Sequence, residues 1–177
     1  RAGWALRYPP DWKVSSCRNC PDPTDPSVFV TFDPPGSWED GRMVVEHLAP
    51  KPLDKSTEQW LMEVKSIVNL NPIIEEKNIT VDNAPALRVR YRNPSGGGFE
   101  SESIYLVRGD DTFEISFGGN KPGVKVEALK NYPIYIKILS IFKFIEPASQ
   151  IDTSTWKTYR NEEYGFEVKY PSALIVT

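Results

Sequence analysis

Residues 84–119, "APALRVRYRNPSGGGFESESIYLVRGDDTFEISFGG", decide the fold. Three runs rich in β-branched and aromatic residues are separated by Ser-Gly-Gly-Gly and Gly-Asp-Asp, which are turn chemistry. Leu87, Val89 and Tyr91 alternate with Arg88, Arg90 and Arg92, the period of a half-buried strand with a solvated charged face. Just upstream, "PIIEEKNITV" (72–81) ends at Asp82-Asn83, another two-residue hairpin signal. Short connections between four strands predict an antiparallel meander.

Before the meander, "KSTEQWLMEVKSIVNLNP" (55–72) carries the best helix signal. Ser56 with Gln59 three residues later forms a capping box, and Trp60, Leu61, Val64, Ile67 and Val68 recur at helical spacing. Asn71 and Pro72 stop the run. Nearer the start, "GWALRYP", "DWKVSS", "SVFVTFD" and "RMVVEHLAP" read as strands interrupted by Pro9, Pro10, Pro34, Pro35 and Gly36. After the meander, Pro133 predicts a short helix over Tyr132–Ser140, with Asn131 as its cap and Ile134, Ile138 and Leu139 inward. Phe142 and Phe144 then alternate in a closing strand. The class expected is α+β.

The chain of 177 residues has 24 acidic residues against 21 Lys plus Arg, a formal charge of −3 that leaves no nucleic-acid footprint or polybasic membrane patch. No run reaches the roughly 18 apolar residues of a membrane helix. The sequence starts without Met or a signal peptide, which reads as a processed chain. Cys17 and Cys20 are read as a local disulfide, which points to an extracytoplasmic compartment. Free thiols, a redox dithiol or half of a zinc site are the alternatives. Zinc needs two further ligands, however, and a redox helix is blocked by Pro21, Pro23 and Pro26.

The end of the chain repeats its start. Gly165, Phe166, Val168, Tyr170 and Pro171 stand 162 residues after Gly3, Trp4, Leu6, Tyr8 and Pro9. In the second copy "WKTYR" precedes the motif across the turn "NEE", predicting a hairpin; the first copy has no such leading strand. The organisation expected is a domain over 1–146 lacking that strand, a polar linker at 147–155, and a terminal hairpin at 156–177, as in a unit of a tandem array. An unpaired edge at Gly3 to Tyr8 invites an added strand, from this tail or from another copy. The interaction residues expected are Trp156, Thr158, Tyr159, Tyr164, Phe166, Val168 and Tyr170 in the hairpin, with Trp4, Leu6 and Tyr8 in the first copy.

"YGFEVKYP" after a polar lead strand, "GWALRYPPDW", a mid-chain amphipathic helix and the closing "ILSIFKFI" together resemble bacterial extracytoplasmic domains similar to PsbP, the extrinsic photosystem II protein. The resemblance spans most of residues 3–145 and restarts at 156. It implies an α/β/α sandwich with a central antiparallel sheet, in proteins that are usually secreted, lipid-anchored or periplasmic and usually not enzymes. Photosystem members bind a membrane complex and help retain calcium and chloride near a manganese cluster. The chain departs from them in its Cys-x-x-Cys loop and repeated half-motif.

Chemistry-bearing residues are sparse. The only histidine is His47, beside Glu46 in a strand, so a nucleophile-histidine-acid triad is disfavoured. Asp22, Asp25, Asp33 and Asp40 fall in loops and could offer oxygens to calcium, but their spacing is not that of an EF-hand. Asp110 and Asp111 fit a hairpin tip, Asn78 opens an Asn-Ile-Thr acceptor motif, and "SGGG" lacks the ending of a phosphate loop. Trp12, Trp38 and Trp156 are candidates to grip a ligand, with the core as the alternative destination. The function expected is a non-catalytic extracytoplasmic module that binds a protein partner, with no cofactor and no metal. One alternative is a structural subunit assembling by strand exchange; another is a thiol-redox or metal-binding protein acting through Cys17 and Cys20.

Overall fold

In a computed structural model of the chain, residues 3–18, 28–68, 71–94, 97–145, 157–161 and 166–170 are described. Two units are distinguished, Arg1–Ile145 and Glu146–Thr177. The first contains β1 (Gly3–Ala5), β2 (Lys13–Arg18), β3 (Val28–Asp33), β4 (Arg42–Leu48), α1 (Thr57–Val68), β5 (Ile73–Val81), β6 (Ala84–Asn93), β7 (Phe99–Arg108), β8 (Asp111–Gly118), α2 (Tyr132–Ser140) and β9 (Lys143–Ile145). The second contains β10 (Lys157–Asn161) and β11 (Phe166–Tyr170).

The predicted meander forms as β5 to β8. It joins β4 to make a seven-stranded sheet in the order β2-β3-β4-β8-β7-β6-β5, antiparallel at every step. Asp82 and Asn83 both take positive φ, 47° and 63°, as the tight turn between β5 and β6 requires. Successive residues of a strand point to opposite faces, so this sheet has two cores. Phe32, Met43, Val45, Ile104, Leu106, Phe113, Ile115 and Phe117 line one face, and Trp12, Tyr135, Ile138, Phe142 and Phe144 pack on it. Leu87, Val89, Tyr105 and Val107 line the other, under Trp60, Leu61 and Val64 of α1.

The capping box closes α1 as its sequence predicts. The Ser56 N–H donates to Gln59 Oε1 at 3.0 Å, and the Gln59 N–H donates to Ser56 Oγ at 3.2 Å. Trp60 of the same helix donates its indole N–H to the Thr112 hydroxyl at 2.7 Å, fixing α1 over the sheet. Helix α2 covers the expected residues, with two differences. Its central inward residue is Tyr135, stacked on Phe117 at 4.7 Å, while Ile134 and Leu139 pack at the margin. Asn131 does precede the helix, yet its side-chain amide donates to the Gly41 carbonyl at 3.1 Å and makes no cap bond.

The expected sandwich is met at a coarser level. Helix α1 packs on β6 and β7 and α2 lies against the opposite face, so the architecture is an antiparallel sheet with two helices, short of two helical layers. The opening motif also differs. Pairing is confined to Gly3–Ala5, in register with Ile145–Lys143 of β9, so the expected long free edge from Gly3 to Tyr8 is a three-residue strand with a partner. Its partner β9 is itself only three residues long, Lys143–Ile145. The terminal hairpin pairs from Lys157↔Tyr170 to Asn161↔Phe166 as a two-stranded sheet of its own, with Asn161, expected in the turn, belonging to β10. Among the described residues, no helix is long and apolar enough to cross a membrane.

Ser56→Ala removes one acceptor of the capping box and is expected to destabilise the fold by about 1 kcal/mol, seen as a lower urea midpoint with an unchanged slope.

Candidate functional site

The residues singled out for chemistry are held in structural pairs. His47 Nε2 lies 2.8 Å from Asp111 Oδ1, and its ring meets Phe113 edge-on at 5.1 Å. Of the aspartates expected in loops, Asp33 ends β3 and faces Arg42 at 3.7 Å, and Asp40 ends a short 3-10 turn, Trp38–Asp40, where the Lys121 ammonium hydrogen-bonds it and holds its carboxyl below the usual range. Asp22 and Asp25 lie outside the described residues. Among the described residues, no group of three or more His, Cys, Asp or Glu is arranged to hold a metal ion. Trp12 is buried in the core, whereas Trp38 is half-exposed beneath the Arg42 guanidinium, 5.5 Å from its ring centroid. Cys17 belongs to β2, while Cys20, Trp156 and Tyr164 lie outside the described residues.

The repeated motif is divided between the two units. Trp4 stacks on Phe142 at 6.0 Å, Leu6 packs against the same core, and Tyr8 meets Phe32 edge-on at 5.4 Å. Thr158 and Tyr159 lie in β10 opposite Lys169 and Val168, and the backbones of Phe166, Val168 and Tyr170 belong to β11.

Two polar clusters went unread in the sequence. Arg88, Arg90 and Arg92 were expected on a wet strand face, but β7 brings Glu102 and Glu100 opposite Arg90 and Arg92. Arg88 donates to Glu102 Oε2 and to the Tyr132 hydroxyl, both at 2.6 Å, and Arg90 reaches Glu127 at 2.6 Å and Glu75 at 3.0 Å. Glu102 is 0% exposed. Burial, with the Glu102 carboxylate beside it, drives the Tyr135 hydroxyl well above its usual pKa. On the α1 face, Glu114 accepts from the Ser103 hydroxyl at 2.6 Å and lies directly across from Glu46. Burial raises the Glu114 pKa, and Glu46 adds to the rise against the opposing Ser103 hydrogen bond. Clues were present in "FESESIY", where acids fall at strand positions matching "RVRYR" across a three-Gly turn.

A groove of about 650 Å³ opens between α1 and the β5–β6 hairpin. Leu61 and Met62 form its helix side, Pro85 and Leu87 its floor, and Glu58, Glu76 and Asn78 add polar groups. Strand β5 ends the sheet, so its outer edge has no neighbouring strand among the described residues. Met62 is 44% exposed, with Glu58, Gln59 and Ser66 one turn away also exposed, off the stripe of Trp60, Leu61 and Val64. That methionine, off the apolar stripe, was the one signal of the groove in the sequence.

No protein-family profile matches the chain, and no curated protein matches it. Solved structures do. The solution structure of cyanobacterial PsbP (CyanoP) from Synechocystis sp. PCC 6803 superposes with a TM-score of 0.52 at 12% identity, over 81% of this chain and 87% of that one. The fold is PsbP-like. A crystal structure from Bacteroides thetaiotaomicron VPI-5482 is similar at a TM-score of 0.50 and 13% identity, covering 82% of this chain and 46% of that one. At such identities the likeness extends to the PsbP-like fold alone.

Because the Glu114 pKa is raised in the fold, its proton stabilises the native state below the unfolded carboxyl pKa, and that contribution is lost as pH rises through the folded value. Glu114→Gln, which cannot ionise, is therefore expected to gain stability over the parent as pH rises from 4 to 7, measured by urea denaturation at each pH (about 4.3 being the unperturbed carboxyl value). A constant difference across that range would remove the assignment.

Proposed function

We propose that the chain is a non-catalytic protein-interaction module working outside the cytoplasm, with the sheet and its two helices forming the α/β/α sandwich of PsbP-like domains. The carrying observation is the open groove between α1 and β5, a concave surface with an apolar floor next to a strand edge that no described strand covers. Interaction sites combine such an apolar centre with a polar margin. The non-catalytic part of the reading is supported by the PsbP-like fold and by buried Glu102 being tied to Arg88. The extracytoplasmic reading is supported by the likeness to PsbP.

A second reading, assembly by strand exchange, is favoured by the terminal hairpin. A two-stranded sheet is marginally stable in water by itself, and β11 repeats the pattern of the opening motif. In this reading Trp156, Tyr164, Phe166, Val168 and Tyr170 are the donated contacts. The test is solution size: assembly predicts a species larger than one chain that falls to one chain when residues 156–177 are deleted, and an unchanged monomer would end this reading.

For the interaction module, a photo-crosslinking side chain at position 62 is expected to trap a protein partner in the source cells, while the same group at exposed Lys137 on α2 does not. A folded variant giving no adduct from position 62 would overturn the proposal.

A further inference from the structure

We infer that the groove binds an extended, basic peptide segment by adding it as a strand to β5. This rests on the interaction-module reading and specifies its partner. The backbone of β5 determines which groups are available. Val81 and Ala84 flank the two-residue turn Asp82-Asn83 and form its closing hydrogen-bonded pair. Hydrogen-bonded and non-hydrogen-bonded pairs alternate along an antiparallel ladder, so Thr80↔Pro85, Asn78↔Leu87 and Glu76↔Val89 are non-hydrogen-bonded. Pro85, which has no N–H, suits that assignment. Thr80, Asn78 and Glu76 therefore turn their N–H and C=O groups outward, to the edge that no described strand covers.

The same three residues alternate with those of the opposite face, and the side chains of Glu76 and Asn78 line the groove. Residues of an added strand lying opposite them share their face, so every second side chain enters the space between β5 and α1, against Leu61 and Met62. Backbone pairing supplies affinity there and alternate side chains supply selectivity, the logic of strand addition. The groove lining includes two carboxylates, Glu58 and Glu76, and no Lys or Arg. Although Lys65 reaches Glu76 at 2.7 Å from the next turn of α1, Glu58 remains exposed. With Glu76 neutralised by Lys65, Glu58 is the acid left to favour a Lys or Arg in the added strand. A second copy of this chain would bring the same acids to the shared edge, where like charges oppose pairing.

The probe is a fluorescein-labelled peptide Thr-Val-Thr-Val-Thr-Lys-Thr, titrated into the full chain at low salt. Binding is expected to protect the outward amides of Glu76, Asn78 and Thr80 from hydrogen exchange and to leave Lys77 and Ile79, already paired with β6, unchanged. Replacing the peptide Lys with Glu, or Glu58 with Lys, is expected to weaken binding by about tenfold. N-methylation of the peptide valines, or Asn78→Pro, which removes one outward donor and keeps the β5–β6 ladder, should abolish it. Binding that survives N-methylation and Asn78→Pro overturns strand addition and leaves the interaction module standing. Protection of the outward amides with rising protein concentration and no peptide makes a second copy the occupant, which also overturns the inference. Failure of the probe to bind while position 62 still traps a partner refutes the peptide alone; failure of both refutes the module as well.

Discussion

The structure depends on the placement of β7 between two cores. Flanked by β6 and β8, it sends Ile104 and Leu106 to the face packed by α2 and Tyr105 and Val107 to the face packed by α1. All four are nearly inaccessible to water. With both faces occupied, register is fixed twice over. A slip by one residue would carry Tyr105 toward the arginine cluster and Glu102 beneath α1, unpairing a buried charge on one side and opening a hole on the other.

That strand also explains where charge is tolerated inside the fold. Toward the β6–β7 turn the apolar residues give way to Glu100 and Glu102, and β6 supplies Arg92, Arg90 and Arg88 across the ladder. Removing one member of such a group is costly, whereas its net worth against an apolar core is small. Its value here lies in pairing: only the observed β6–β7 register puts Arg90 against Glu102. Glu114 follows a different rule, since its oxygens meet hydroxyls rather than cations, and burial shifts it toward the neutral acid.

Much of this was legible in the sequence where the signal was local. The β5–β8 meander follows from period-two runs and turn residues, and α1 follows from Ser56, Gln59 and its apolar spacing, because capping and turn formation involve neighbours in the chain. Legibility faded wherever a partner came from far along the sequence. The arginines alternated as a solvated face does, and only β7, α2 and the turn at Val126–Ala128 turn that face into a cluster. Asn131 had a capping residue's identity and position, but the distant Gly41 carbonyl took its amide. The groove needs α1 and β5 side by side, and Met62 alone could not reveal that.

The pairing of β4 with β8, from Arg42↔Gly118 to Leu48↔Thr112, bears on how the chain folds. Strands β5 to β8 are joined by short turns and close cheaply, whereas β4 reaches β8 only by looping past α1 and the whole meander. Long-range closures of this kind slow folding, because chain entropy is lost before contacts compensate. Strands β2 to β4 pair with their chain neighbours just as β5 to β8 do, so the β4–β8 ladder is the long closure that welds two locally paired halves into one sheet.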